Sequence, residues 1–171
     1  MRNKLRVAFI GLLALVFLGG IWSSFSAPRN LLDETPKDKS VTLVVDYGQQ
    51  SNRELQTFEL NGLTSSVRGW ELFKAARLPV EGTAQYPNGF VCRINGWPTK
   101  AEQDCQDTPS YREGHWAYYV TSSSLGSGWM LSGQGAAMHT PDCGGYEGWS
   151  WVEPGQESSE PRFEPTFRAC K

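Results

Sequence analysis

Hydrophobic and polar positions change rhythm along the chain. From Val7 to Trp22 the residues are almost all apolar, behind a start that carries Arg2, Lys4 and Arg6 and ahead of the small, polar stretch Ser23-Ser24-Phe25-Ser26-Ala27. From Pro28 to Ser40 apolar residues are sparse and aperiodic, which reads as a linker over residues 27–40. From Val41 onward, β-branched and aromatic residues gather in short segments punctuated by Gly, Asn, Asp and Pro.

Those segments predict the elements. Val41–Tyr47 is apolar and β-branched, a strand buried on both faces. Leu55–Leu60 alternates, with Gln56, Phe58 and Leu60 on one face and Leu55, Thr57 and Glu59 on the other, and Asn61-Gly62 ends it. Ser66–Leu78 is the one good helical pattern: Val67, Trp70, Phe73 and Ala76 recur every three residues, Leu72 widens the stripe, Ser65 or Ser66 caps it and Pro79 stops it. After a polar loop, Gly89–Gly96 reads as a short strand running into a tight turn. His115–Thr121 follows, with Trp116, Tyr118 and Val120 on one face and Ala117, Tyr119 and Thr121 on the other. Gly128–Leu131 and Glu147–Val152 complete the set, Trp149 and Trp151 pointing the same way. From Glu153, Pro, Glu and Ser dominate, so residues 153–171 are expected to be an extended tail held mainly by Cys170. One helix against a mixed sheet of about five strands is an α+β architecture, and this order is that of a β-grasp domain over residues 41–152.

The leader fits the three zones of a secretory signal, with cleavage near Ser26–Ala27. An uncleaved anchor is the rival reading, although the apolar run is shorter than the roughly 20 residues of a full span. No cysteine follows the run, which argues against a lipid anchor, and both readings place the remainder outside the cytoplasm.

Charge and cysteine content narrow the function classes. The chain carries a net charge of −2, and removing its basic leader makes the rest more acidic. No basic surface for nucleic acid is expected. Cys92, Cys105, Cys143 and Cys170 all lie in the exported part, and an even count there favours disulfides. Several pairings are open; proximity favours Cys92–Cys105, and Cys143–Cys170 follows by elimination. Each loop would contribute about 3 kcal/mol by restricting the unfolded chain. A zinc site is disfavoured, since no two cysteines have metal-ligand spacing and His115 and His139 are far apart.

Catalytic signatures are weak. Leu131-Ser132-Gly133-Gln134-Gly135 has the look of a nucleotide-cassette signature, but the phosphate-cradling loop that must accompany it is absent, so it reads as a glycine-rich loop. No serine stands in a Gly-x-Ser-x-Gly elbow. His115 reads as a strand-edge residue and His139 as a loop residue. Asp104, Asp107, Glu113, Asp142 and Glu147 are carboxylates of the kind a glycosidase pairs, yet nothing in the sequence pairs them.

Aromatic density is the stronger signal. Trp97, Trp116, Trp129, Trp149 and Trp151 crowd the second half among Tyr111, Tyr118, Tyr119 and Tyr146. Tryptophan fills cores, but one small sheet is not expected to bury them all, and clustered exposed rings mark binding surfaces. Trp97, Trp116, Tyr118, Trp129, Trp149 and Trp151 are therefore the candidate ligand contacts, suited to a sugar face, a planar cofactor or a partner protein.

Val41–Gly48, Trp70–Ala76, Gly89–Gly96, Trp116–Val120 and Gly148–Trp151, in that order, resemble small secreted bacterial proteins similar to the C-terminal domain of the vitamin B12 carriers transcobalamin and intrinsic factor. The likeness covers roughly Val41 to Val152. It implies a non-catalytic β-grasp-like module, needing no cofactor for its own fold, with a corrinoid as a possible ligand. In the carriers a large helical domain completes the corrinoid site, and this chain has no room for one. Some bacterial relatives accompany vitamin importers, which makes an envelope protein the alternative partner and an unrecognised hydrolase the third expectation.

Overall fold

The computed structural model describes residues 39–110, 112–122 and 128–170. The leader, and the linker up to residue 38, lie outside the described residues. Among the described residues no helix is long and apolar enough to cross a membrane.

The architecture is α+β. Strands β1 (Lys39–Asp46) and β2 (Gln56–Leu63) form an antiparallel hairpin; helix α1 (Glu71–Ala75) follows; then come β3 (Val80–Gly82), β4 (Val91–Ile94), β5 (His115–Val120), β6 (Met130–Leu131) and β7 (Gly145–Val152). Five strands make one mixed sheet in the order β2-β1-β7-β5-β6, with β1 and β7 parallel at its centre. The apolar first segment is thus flanked on both sides, as its composition predicts. It begins two residues earlier than expected, at Lys39, so the linker gives way to the sheet at that point.

Several sequence expectations need correction. The strand at β4 does not join the main sheet: it pairs antiparallel with β3, inside what read as a polar loop, as a separate two-stranded ribbon. Asn95-Gly96 then turns it back, both residues at positive φ, with Ile94 and Trp97 exchanging backbone hydrogen bonds at 2.9 Å. Asn61-Gly62 does not end β2. The register with β1 slips between Lys39 and Val41, Gly62 takes φ +69°, and the strand runs on to Leu63 through this bulge.

The helix is one short turn instead of the predicted Ser66–Leu78. Its N-cap is Trp70, without a side-chain cap, so neither Ser65 nor Ser66 serves. The amides of Gly69 and Trp70 donate instead to the carbonyls of His139 and Ala136, at 3.1 and 3.0 Å, which ties the segment before the helix to a distant loop. At the other end Arg77 adopts φ +55°, its amide bonds Lys74 and that of Leu78 bonds Phe73. That is the paired closure of a Schellman cap, made without glycine and followed at once by Pro79.

Both cysteine pairs are as expected, Cys92–Cys105 and Cys143–Cys170. The tail is not held mainly by Cys170. It has no regular secondary structure, but it crosses the sheet face opposite the helix and covers Ala117, Tyr119 and Val152 together with Trp129. Gly148 makes this possible: a Cβ there would sit 2.8 Å from Pro161 and from the Trp129 ring. Trp129 Nε1 donates to the Phe163 carbonyl at 2.7 Å, and Arg162 reaches the buried Asp46 at the end of β1 through its guanidinium, 2.6 Å, and its amide, 2.8 Å. Burial alone would push the Asp46 carboxyl up; the bonds from Arg162 and Gly48 outweigh it and hold the group below its ordinary value. The domain therefore extends past Val152 to Cys170.

Candidate functional site

The candidate aromatic residues come together, but inside the protein. Strand register sets Trp116 opposite Trp151 and Tyr118 opposite Trp149 on the helix-facing side of β5 and β7. Tyr118 stacks on Trp149 with centroids 4.7 Å apart, and Trp116 meets Trp151 edge-on at 5.7 Å. Phe73 from α1 closes on Trp149 at 5.4 Å and Tyr47 on Trp116 at 5.6 Å. Trp116, Trp149 and Trp151 are each 4% exposed and Tyr118 is 8% exposed. The expectation that one small sheet leaves such rings on a surface is corrected: with an alternating pleat, four large rings on two neighbouring strands share one face and become the core. Trp97 is half-buried against Trp151, with Arg53 over its ring. Trp129 lies on the other face, edge-on to Tyr146, and belongs to the tail contact.

One edge of this core is open. A cleft of about 300 Å³ runs beside β5, lined by Phe90, Trp116, Tyr118, Leu131, Gln134 and Trp149 among others, with mostly apolar walls. It exists because β6 is so short. Met130 and Leu131 pair with Val120 and Tyr119, Ser132 donates its amide to Tyr118, and Ser132 Oγ then bonds the backbone of Gln134 and turns the chain away. The glycine-rich segment from Leu131 to Gly135 is thus the rim of the cleft. Because alternate residues of a strand aim their backbone groups to the same side, the amide and carbonyl of Trp116 face this opening, where among the described residues no strand pairs with them. Large exposed apolar side chains among the described residues are Tyr86, Met130, Leu131 and Met138. Of these, Leu131 lines the cleft, and Tyr86 belongs to the turn whose carbonyl accepts the amides of Gly89 and Phe90 beside its opposite wall. His115 lines the same cleft, and burial lowers its imidazole, favouring the neutral form.

Behind the cleft lies a titratable cluster that sequence reasoning missed. Glu147 of β7 is 1% exposed, accepts a hydrogen bond from the Tyr118 hydroxyl, and lies 3.2 Å from His139 Nε2. The sequence reading left Glu147 unpaired and His139 as a plain loop residue; the ring of His139 in fact meets the carboxylate. A signal was available, since Glu147 shares the inward face of β7 with Trp149 and Trp151, and a carboxylate there needs partners. Burial pushes Glu147 up, only partly offset by its two hydrogen bonds. The Glu147 contact raises His139 against the opposing effect of burial. Desolvation, with the neighbouring carboxylate, pushes the Tyr118 phenol far up, so it stays a donor.

The other acids are placed differently. Asp104, Asp107 and Glu113 line a separate polar concavity of about 370 Å³ with Glu102. Glu102 caps Thr99 and Glu113 caps Ser110, each carboxylate accepting both the amide and the hydroxyl. Among the described residues no three His, Cys, Asp or Glu side chains converge as metal ligands.

Gly69 is where the core, the cleft loop and the helix meet. A Cβ on it would lie 2.2 Å from the Tyr118 hydroxyl and 3.3 Å from Ala136. Gly69→Ala is expected to displace Tyr118 from Glu147 and destabilise the fold by roughly 2–3 kcal/mol; a urea midpoint within error of the parent would contradict this. Compared with known proteins, the chain matches no protein-family model and no curated protein.

Proposed function

We propose that the protein is a non-catalytic, extracytoplasmic binding module of β-grasp type, whose cleft beside β5 takes a flat, largely apolar small molecule, a corrinoid or another cofactor being the first to test. The observation that carries the reading is an apolar cleft walled by the rings of Phe90, Trp116, Tyr118 and Trp149 with the exposed Leu131 on its rim, since such a cleft is the usual form of a small-molecule site. The sheet order, with a hairpin, a helix and parallel central strands, supports the β-grasp assignment, and so does the resemblance to the transcobalamin C-terminal domain. Two disulfides and the signal-like leader support work outside the cytoplasm.

Trp116 and Trp149 line the cleft, so occupancy reads out directly. Titration with cobalamin, other planar cofactors and oligosaccharides is expected to quench tryptophan emission with at least one planar probe. Leu131→Glu is expected to weaken that binding roughly tenfold, by placing a charge where an apolar contact was. Absence of quenching by every probe, or equal affinity in the variant, would remove the small-ligand reading.

A second reading has its own support. The outward amide and carbonyl of Trp116 suit an extended segment of an envelope protein, such as an importer subunit, added as a strand beside β5. It calls for one dominant partner recovered from solubilised membranes and lost in Leu131→Glu; recovery independent of that residue would dismiss it.

A further inference from the structure

The cluster behind the cleft is placed to control it. Residues 135–139 form a turn, with the amides of Met138 and His139 both on the Gly135 carbonyl, and this turn continues the glycine-rich rim. It is fastened on two sides. The segment before α1 holds it through Gly69, Trp70 and the Arg68 guanidinium, which bonds the Met138 carbonyl at 2.8 Å and Thr140 at 2.6 Å. The sheet holds it through the His139 side chain, which meets Glu147 and lies edge-on to the Tyr118 ring at 6.0 Å. Ala136, in the same turn, is buried against the core.

We propose that His139, Glu147 and Tyr118 form a proton-operated latch that clamps the 135–139 turn onto the sheet and so sets the width of the cleft. The proposal rests on the cleft being the binding site only for its purpose; the latch itself is a property of the unliganded protein. With His139 charged, the buried carboxylate has a cation and a phenol as partners. With His139 neutral, the carboxylate keeps hydrogen bonds but loses that cation, and a buried charge without its counter-ion draws in water. The turn then gives way, because it is the part that carries His139 itself and it lies outside the sheet and the helix.

Other charges face the pair from each neighbouring element. Lys39 comes from β1, nearly buried, with its ammonium on the Ser65 carbonyl at 3.3 Å. Burial lowers Lys39, with Glu147 and Asp142 opposing that effect. Arg68 lies before the helix, and Asp142 in the loop before β7 favours the charged imidazole while Lys39 disfavours it. The imidazole, whose charge changes near neutral pH, is the switching group.

Linkage gives the direction. Glu147 and His139 are both raised, so the folded protein binds the shared proton more tightly than the unfolded chain does. The contribution is complete below the ordinary histidine value of 6.5 and is lost as pH rises through the raised one. The latch is closed in acid and opens toward alkaline pH.

Amide hydrogen exchange in the unliganded protein tests this without any ligand, using Gly69 and Trp70, whose acceptors sit on the turn. After correction for intrinsic exchange, their protection is expected to fall by up to roughly tenfold per pH unit as pH rises from 6.5 to the raised His139 value and then to level off, while amides of β1 and β7 hold steady. His139→Gln and Glu147→Gln each remove one half of the pair, and both are expected to flatten that pH response. Flat protection in the parent protein, or an unchanged slope in both variants, would overturn the latch. Neither result touches the titration with planar probes, so failure of the latch and failure of the cleft reading are separately visible.

Discussion

Trp149→Ala is expected to destabilise the domain by about 3–5 kcal/mol, a large part of the 5–15 kcal/mol that holds a typical domain together. The indole stacks on Tyr118, touches Phe73 and is 4% exposed, so its removal leaves a cavity between sheet and helix that neither strand can close. Urea denaturation followed by far-ultraviolet circular dichroism should show a lowered midpoint at an unchanged slope. A tryptophan whose role was to face a ligand would give a change within about 0.5 kcal/mol, so the size of the effect separates core from platform. The same logic orders the other rings: Trp151→Ala and Trp116→Ala should resemble Trp149→Ala, and Trp97→Ala should be milder because that ring is half-buried.

Ending the chain after Val152 is expected to abolish folding. The truncation removes the partner of Cys143, whose loop of 27 residues contributes roughly 3–4 kcal/mol by restricting the unfolded chain. It strips the cover from Ala117, Tyr119 and Val152, and it leaves Asp46 buried without Arg162. Breaking a buried pair from one side is usually worth about 3–5 kcal/mol, and less here because the Arg162 side chain is partly in solvent. The sum exceeds what a domain of this size can lose. A truncated protein with a sharp unfolding transition and native near-ultraviolet dichroism would show the tail to be dispensable. A finer variant, Arg162→Ala, isolates the ion pair while keeping the disulfide.

Strand positions and faces were legible because the pleat has a period of two and the apolar residues follow it. Trp116, Tyr118 and Val120 face one way and Ala117 and Tyr119 the other, as the alternation predicts. The disulfides followed from count and proximity. The helix was over-read because a three-residue spacing at Val67, Trp70, Phe73 and Ala76 is also produced by a turn that packs Val67 and Trp70 onto the core from outside a helix. Nothing local marks that Gly69 and Trp70 donate to residues 136 and 139, some seventy positions on. The tail was misjudged for a related reason: Pro, Glu and Ser are typical of disorder, and long-range contacts such as Arg162 on Asp46, 116 residues apart, and Phe163 on Trp129 reveal that it is bound. At the candidate cleft, the residues picked from sequence stand in a different position from the one expected. Trp116, Tyr118 and Trp149 do border the cleft, but as its buried wall, while Leu131, Phe90 and the glycine-rich loop supply the surface a ligand would meet.

The most direct measurement is an amide chemical-shift map of the isotope-labelled domain, titrated with the planar probe that quenches tryptophan emission most. Binding in the cleft predicts shifts confined to Gly89–Val91, His115–Tyr118 and Leu131–Ala136, saturating at the same probe concentration as the quenching. Shifts centred on Trp129 and residues 160–166, or none above those of a matched inert solute, would contradict the assignment of this cleft as the binding site.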